Sequence, residues 1–149
     1  MFEIESKNSD VITITTKKTS VTFNVSEYAI SGNLSVGKIY GPGEFEVGDI
    51  TIRGIALESG RVIYDAEIGG VHVGIIGGIE DGLDELGVAN ILCTSSVRAI
   101  REIGPKVVIA MGNVDGMVSD LKVSARAERK YKVKSLEALP MALEVVALN

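Results

Sequence analysis

The chain has 149 residues and a net charge of −5, from 20 acidic and 15 basic side chains. Hydrophobic residues make up 46% and charged residues 23%, a balance that excludes an intrinsically disordered chain. The length suits one domain with a core large enough to do without disulfide staples, and the mild acidity argues against nucleic acid as the main partner.

Val and Ile number 18 and 17, against 10 Leu and no Trp. That excess of β-branched side chains favours sheet over a helical bundle. The single cysteine, Cys93, excludes an internal disulfide and any cysteine-rich zinc or iron–sulfur site. Within Asn90-Ile91-Leu92-Cys93 it reads as a buried structural thiol. No apolar run reaches the roughly 18 residues of a membrane span, and Met1 to Asp10 has no apolar signal region. A cytoplasmic protein with no membrane partner is the expectation.

In chain order, Phe2 to Glu5, Val11 to Thr15 and Ser20 to Val25 alternate apolar and polar residues, as half-buried antiparallel strands do. Lys7 to Asp10 and Thr16 to Thr19 are the polar turns between them. Tyr28-Ala29-Ile30 predicts a further short strand before a turn at Ser31-Gly32-Asn33. After Gly41-Pro42-Gly43-Glu44-Phe45-Glu46-Val47, a strand is expected over Ile50 to Ile55. Two more, Arg61 to Ile68 and Val71 to Ile76, are joined by Gly69-Gly70, which suits a type I′ or II′ hairpin.

After Gly77 the texture changes. Ala89 to Cys93 and Lys106 to Ala110 are apolar on both faces, as strands covered by helices are. Ser95 or Ser96 can cap a helix through Val97, Ile100 and Ile103 that Gly104-Pro105 ends. Asn113 or Asp115 can cap a second helix carrying Val114, Met117, Val118 and Leu121. Leu143 to Leu148 reads as a last strand. The order is a β-meander followed by β-α-β-α-β.

Gly41 to Val47, running into Ile50 to Ile55, resembles the "GPGEYEV…I.GI" stretch of small prokaryotic metallo-β-lactamase-fold hydrolases similar to ascorbate-6-phosphate lactonase. Downstream, Val73 to Gly78 stands where that family has a strand ending in "HLGD". Asp84 to Leu92 resembles "DELG.VDVLLIP", and Pro105 to Asn113 resembles "PKVVIPMHY". The resemblance implies an α/β (α+β) fold, a truncated αββα sandwich over residues 1–149. In the family, one or two zinc or manganese ions are held by an "HxHxDH" loop, the Asp of "LGD" and the His of "PMH". Here the Asp position is Gly78 and the final His position is Gly112. The early "GHS" histidine corresponds to Asn8 before Ser9, and the "DP" dipeptide to Asn24-Val25. Only Ser26 to Val36 occupies the place of the "HxHxDH" loop. The resemblance therefore implies a scaffold whose metal ligands are gone, and no catalytic, metal or cofactor residue is assigned.

The remaining candidates read as ordinary structure. His72, the sole histidine, lies in a predicted strand on the face opposite Val71 and Val73, as a surface or satisfied structural residue; one imidazole cannot make a three- or four-ligand site. Gly41-Pro42-Gly43-Glu44 lacks the Lys-Ser/Thr ending of a phosphate loop, and Gly74-Ile75-Ile76-Gly77-Gly78 is not G-x-G-x-x-G. Glu44 with Glu46, and Asp81 with Asp84 or Glu85, read as solvated carboxylates rather than an acid–base pair. So does the acidic run Glu80, Asp81, Asp84, Glu85, and likewise the basic run Lys122, Arg126, Arg129, Lys130, Lys132, Lys134.

The expected role is a non-catalytic binding or assembly module, with no cofactor. A chain missing helices of its parent fold should expose an apolar sheet face, which a homodimer or another protein would cover. Two alternatives stay open. One is a metal-independent hydrolase of small phosphoesters or lactones using Asn113, Asp115 or Glu44. The other is an RNA or protein adaptor using residues 122–134.

Overall fold

The computed structural model describes residues 1–32 and 37–149. Fourteen strands among them form two sheets. The first sheet opens with an antiparallel meander of β1 (Phe2–Asn8), β2 (Val11–Thr15), β3 (Ser20–Asn24), β4 (Ala29–Gly32) and β5 (Ile39–Tyr40). It is completed by β13 (Tyr131–Val133), in the order β13-β1-β2-β3-β4-β5. The second sheet contains β6 (Gly43–Val47), β7 (Ile50–Ala56), β8 (Val62–Ile68), β9 (Val71–Gly77), β10 (Ile91–Thr94), β11 (Val107–Ala110), β12 (Ala125–Glu128) and β14 (Glu144–Leu148). Its order is β12-β14-β11-β10-β9-β8-β7-β6, antiparallel from β6 to β9 and parallel from β9 to β12.

Alternation decides which side chains meet between the sheets. Ile4, Ile12, Ile14, Val21 and Phe23 from the first sheet pack against Ile52, Tyr64, Ile75, Cys93 and Ile109 from the second. The second sheet is apolar on its other face too. There Ile63, Ile76, Leu92, Val108 and Val145 pack under Ala99 and Ile100 of α1 (Val97–Ile103) and Met117 of α2 (Val114–Leu121). A single 3-10 turn, Leu83–Glu85, adds Leu83 to the same layer. Runs such as Val107-Val108-Ile109 are apolar throughout because both of their faces are covered.

Both helices lie on the eight-stranded sheet, and among the described residues none covers the outer face of the six-stranded one. The expectation of an exposed apolar sheet face is corrected here. Glu3 pairs with Thr15, and Thr15 with Ser20; Glu5 pairs with Thr13, and Thr13 with Thr22. The outward residues of the meander are thus carboxylates and hydroxyls, with Thr13 and Thr22 hydrogen-bonded at 2.9 Å. The same period of two that buries Ile12 and Ile14 puts the polar residues outside. The large apolar residues exposed among the described residues, Met1, Tyr40, Val88 and Met141, come from separate segments.

Three links carry the chain between the sheets: the longer one, residues 134–143, returns it from β13 to β14, and the other two are short. Gly41-Pro42 joins β5 to β6, with Gly41 N–H donating to Tyr28 C=O at 2.8 Å. Arg129-Lys130 joins β12 to β13 at the opposite edge. The Gly69-Gly70 hairpin has φ of 55° and 83°, the positive pair that a type I′ turn requires.

Most expected elements are present, with shifted ends. β1 continues through Asn8, so its turn to β2 shrinks to Ser9-Asp10, and Ser31-Gly32 belongs to β4 rather than to a turn. Asn33 and the rest of 33–36 lie outside the described residues. The strands β12 and β13, which the sequence reading does not predict, lie inside the basic run. Among the described residues no helix is long and apolar enough to cross a membrane.

Tyr64 is fully buried and its ring meets Phe23 at 5.6 Å, yet its hydroxyl has no hydrogen-bond partner among the described residues. Burial pushes that phenol up to about 12. Tyr64→Phe keeps the ring and removes the unpaired group, so the urea midpoint should rise by the equivalent of up to about 1 kcal/mol at unchanged m. In contrast, Ser96→Ala removes the N-cap of α1, where Ser96 Oγ accepts from Ala99 N–H at 3.1 Å. Its midpoint should fall by the equivalent of about 1 kcal/mol.

Candidate functional site

Strands β9, β10 and β11 are parallel, so their C-terminal ends and the following loops share one rim, where open α/β sheets place ligands. Gly77-Gly78 follows β9, Ser95-Ser96 follows β10, and Met111-Gly112-Asn113 follows β11. Two turns of the meander face this rim. A methyl group built on Gly112 would stand 3.8 Å from Ser9 Cβ, and one built on Gly77 would stand 3.0 Å from Val25 Cγ2. The Asp position (Gly78), the His position (Gly112) and the Asn8-Ser9 position of the resemblance are therefore brought to one crevice.

The crevice is tied shut by its own groups. Thr94 Oγ1 donates to Gly77 C=O at 2.6 Å, and Ser95 N–H donates to the same oxygen at 3.0 Å. Met111 N–H reaches Thr94 C=O at 2.9 Å. Asn113 Nδ2 crosses the rim to donate to Ser95 C=O at 3.2 Å. Asn113 stands at the N-cap position of α2 but with φ of 57°, and its side chain does not cap the helix. Asn tolerates this left-handed backbone better than most residues, and a Cβ on Gly116 would lie 2.3 Å from Asn113 Oδ1.

Ser9, Val25, Ser95 and Asn113 carry no ionisable group. Asp10 directly follows Ser9, Asp115 lies two residues beyond Asn113, and Glu80, two residues beyond Gly78, accepts from Ser96 Oγ. Zinc or manganese would need imidazole, thiolate or carboxylate donors converging at about 2.0–2.3 Å. Among the described residues no three His, Cys, Asp or Glu side chains are grouped to hold a metal ion, so the donor set does not fit one. Cys93 faces the inter-sheet core, where burial drives its thiol far up. Asp115 is in the first turn of α2. Of the Ser26 to Val36 segment, residues 33–36 lie outside the described residues.

His72 sits at the other end of β9, five residues from Gly77, or about 17 Å along the strand. It faces outward, as its alternation with Val71 and Val73 requires, and is 33% exposed. Its Nδ1 lies 3.2 Å from both oxygens of Asp65, and Nε2 lies 3.9 Å from Glu67. The buried Asp65 also has Arg53 at 3.9 Å. With Glu44, Glu46 and Thr51 these residues line a shallow depression of about 390 Å³ on the outer face of β6–β9. This cross-strand group was not anticipated, although Arg53, Asp65 and His72 stand at outward positions of three adjacent strands.

The charge runs are also placed. Arg126 pairs with Glu128 at 3.0 Å and Glu144 at 3.1 Å and lies 5.7 Å over Tyr131. Lys130 pairs with Glu3 and Glu5 at 3.3 and 3.5 Å. Two of the six bases in the 122–134 run are thus held by carboxylates of this chain. In the acidic run, Asp81 pairs with Arg61, and Asp84 and Glu85 belong to the 3-10 turn.

Burial raises the carboxyl pKa of Asp65 above its ordinary 3.8, outweighing the opposing pull of His72 and Arg53. The folded chain then holds this proton more tightly than the unfolded chain. The contribution of Asp65 to stability is greatest below about 3.9 and falls as pH rises through its own value. Urea midpoints from pH 3 to 7 should show wild type losing ground against Asp65→Asn as pH rises; a flat difference would remove the ionisation of Asp65 as the cause.

No protein-family model matches the chain, and no curated protein matches it in sequence. A solved structure does match. It is the 2.00 Å crystal structure of a Thermotoga maritima protein described as a candidate Zn-dependent hydrolase of the metallo-β-lactamase superfamily. The TM-score is 0.70 at 15% sequence identity, over 100% of both chains. At that identity the likeness is one of fold. The two-sheet α+β architecture of this chain is metallo-β-lactamase-like.

Proposed function

We propose that the chain is a non-catalytic, metallo-β-lactamase-fold pseudo-hydrolase that serves as a cytoplasmic binding or assembly module. Within that fold, the Gly41 to Val47 and Pro105 to Gly112 segments support kinship with the small prokaryotic hydrolases similar to ascorbate-6-phosphate lactonase. The observation that carries the reading is the crevice itself. Its Asp and His positions are Gly78 and Gly112, and Val25 and Asn113 fill or span the space between.

Hydrolysis in this fold depends on a metal that lowers the pKa of a bound water toward 7. Glycine offers no donor atom beyond the backbone, and Ser95 and Asn113 are neutral ligands poorly suited to zinc. His72 and Asp65 do form a base with an orienting carboxylate. They stand far from the crevice, however, about 17 Å away along β9.

The test is elemental analysis of tag-free protein, followed by calorimetric titration with zinc and manganese. Far less than one ion per chain and no saturable heat are expected, together with no turnover of phosphoester or lactone substrates. One tightly held ion per chain, or turnover that a chelator abolishes, would overturn the reading.

A further inference from the structure

The charges of this chain separate onto opposite edges of the sandwich. Between Glu44 and Glu85 there are ten carboxylates and only two cationic side chains, Arg53 and Arg61. Between Lys122 and Lys134 there are six bases and one acid, Glu128. The first stretch builds β6 to β9, which carry Glu44, Glu46, Asp65 and Glu67, together with their turns and the 3-10 turn beyond; the second builds β12 and β13. Strand order puts β6 and β12 at the two ends of the eight-stranded sheet, seven strand spacings or about 34 Å apart. β13 is an edge of the other sheet, joined to β12 by Arg129-Lys130.

Each edge carries charges that the chain leaves unpaired. Glu44 and Glu46 are exposed on β6 and have no ion-pair partner among the described residues. Lys132 and Lys134 are likewise exposed and without a carboxylate partner among the described residues, in contrast to Lys130. The alternation Lys130-Tyr131-Lys132-Val133-Lys134 buries Tyr131 and Val133 and puts the three lysines on one side.

We propose that the chain associates head to tail, with the acidic β6 edge of one copy against the basic β13 edge of the next. A two-fold pair through either edge would set like charges against each other, which costs affinity. Contact between unlike edges is heterologous and builds a ring or an open row. This arrangement replaces the symmetric dimer expected from an exposed apolar face, since the outward face of the meander is polar. It does not depend on whether the crevice holds a metal.

Sedimentation velocity on the full chain tests it, at about 0.02 M and about 0.5 M salt, conditions that shorten the range of charge interactions several-fold. At low salt the weight-average mass should at least double as concentration rises, and at high salt it should return to that of one chain. Glu44→Lys/Glu46→Lys and Lys132→Glu/Lys134→Glu should each remain monomeric alone, with unchanged circular dichroism. Mixed in equal amounts they should associate again, because each restores a complement for the other. A wild-type chain that stays monomeric at low salt overturns the proposal. So does association that both double variants retain, or a mixture that stays monomeric.

Discussion

The structure depends on a strict period of two in strands that face one another across a single apolar layer. Ile4, Ile12, Ile14, Val21 and Phe23 all point the same way from the meander and find Ile52, Tyr64, Ile75 and Ile109 opposite them. A slip of one residue in any of these strands would turn its apolar set outward, so register and core are one constraint. β-Branched side chains suit it because they are stiff and pack well on a pleated surface. The second sheet adds a requirement, since its parallel half must be apolar on both faces to hold α1 and α2. That asymmetry explains why helices are needed on one side only. The meander turns Thr, Ser and Glu to the other side.

The same layout places the crevice. Parallel strands bring Gly77, Ser95 and Gly112 to a common rim, and the meander turns at Ser9 and Val25 close over it. Backbone geometry there is demanding: Gly77, Gly112 and Asn113 all have positive φ. The rim is held by backbone carbonyls, one threonine hydroxyl and one carboxamide. These hydrogen bonds tie the three loops to one another. The polar cluster of Arg53, Asp65 and His72 lies elsewhere on the outer face of the sheet, where it satisfies a buried carboxylate.

Much of this was legible in the sequence because strand alternation and helix punctuation are local. Ser96 and Gly104 bracket α1 as their residue types predict, and Gly69-Gly70 turns the hairpin. Gly78 and Gly112, which stand in ordered motifs, fall in loops at the same end of the parallel strands. What escaped was non-local. β12 and β13 are three or four residues long, and their charges hide the alternation of Tyr131 and Val133. Asn113 looked like a helix cap, but a tertiary partner, the Ser95 carbonyl, claimed its side chain. The Asp65–His72 contact joins residues on adjacent strands and follows only once the register of β8 and β9 is known.

The two shortest of the three crossings between sheets have a mechanical consequence. Gly41-Pro42 at one margin and Arg129-Lys130 at the other are each only two residues long. Lacing a sandwich along both sides in this way bars its layers from sliding past each other, because any shear would have to stretch chain that has no slack. Loosening should therefore begin by peeling at the free ends of the strands, with the layers separating only when the whole body gives way.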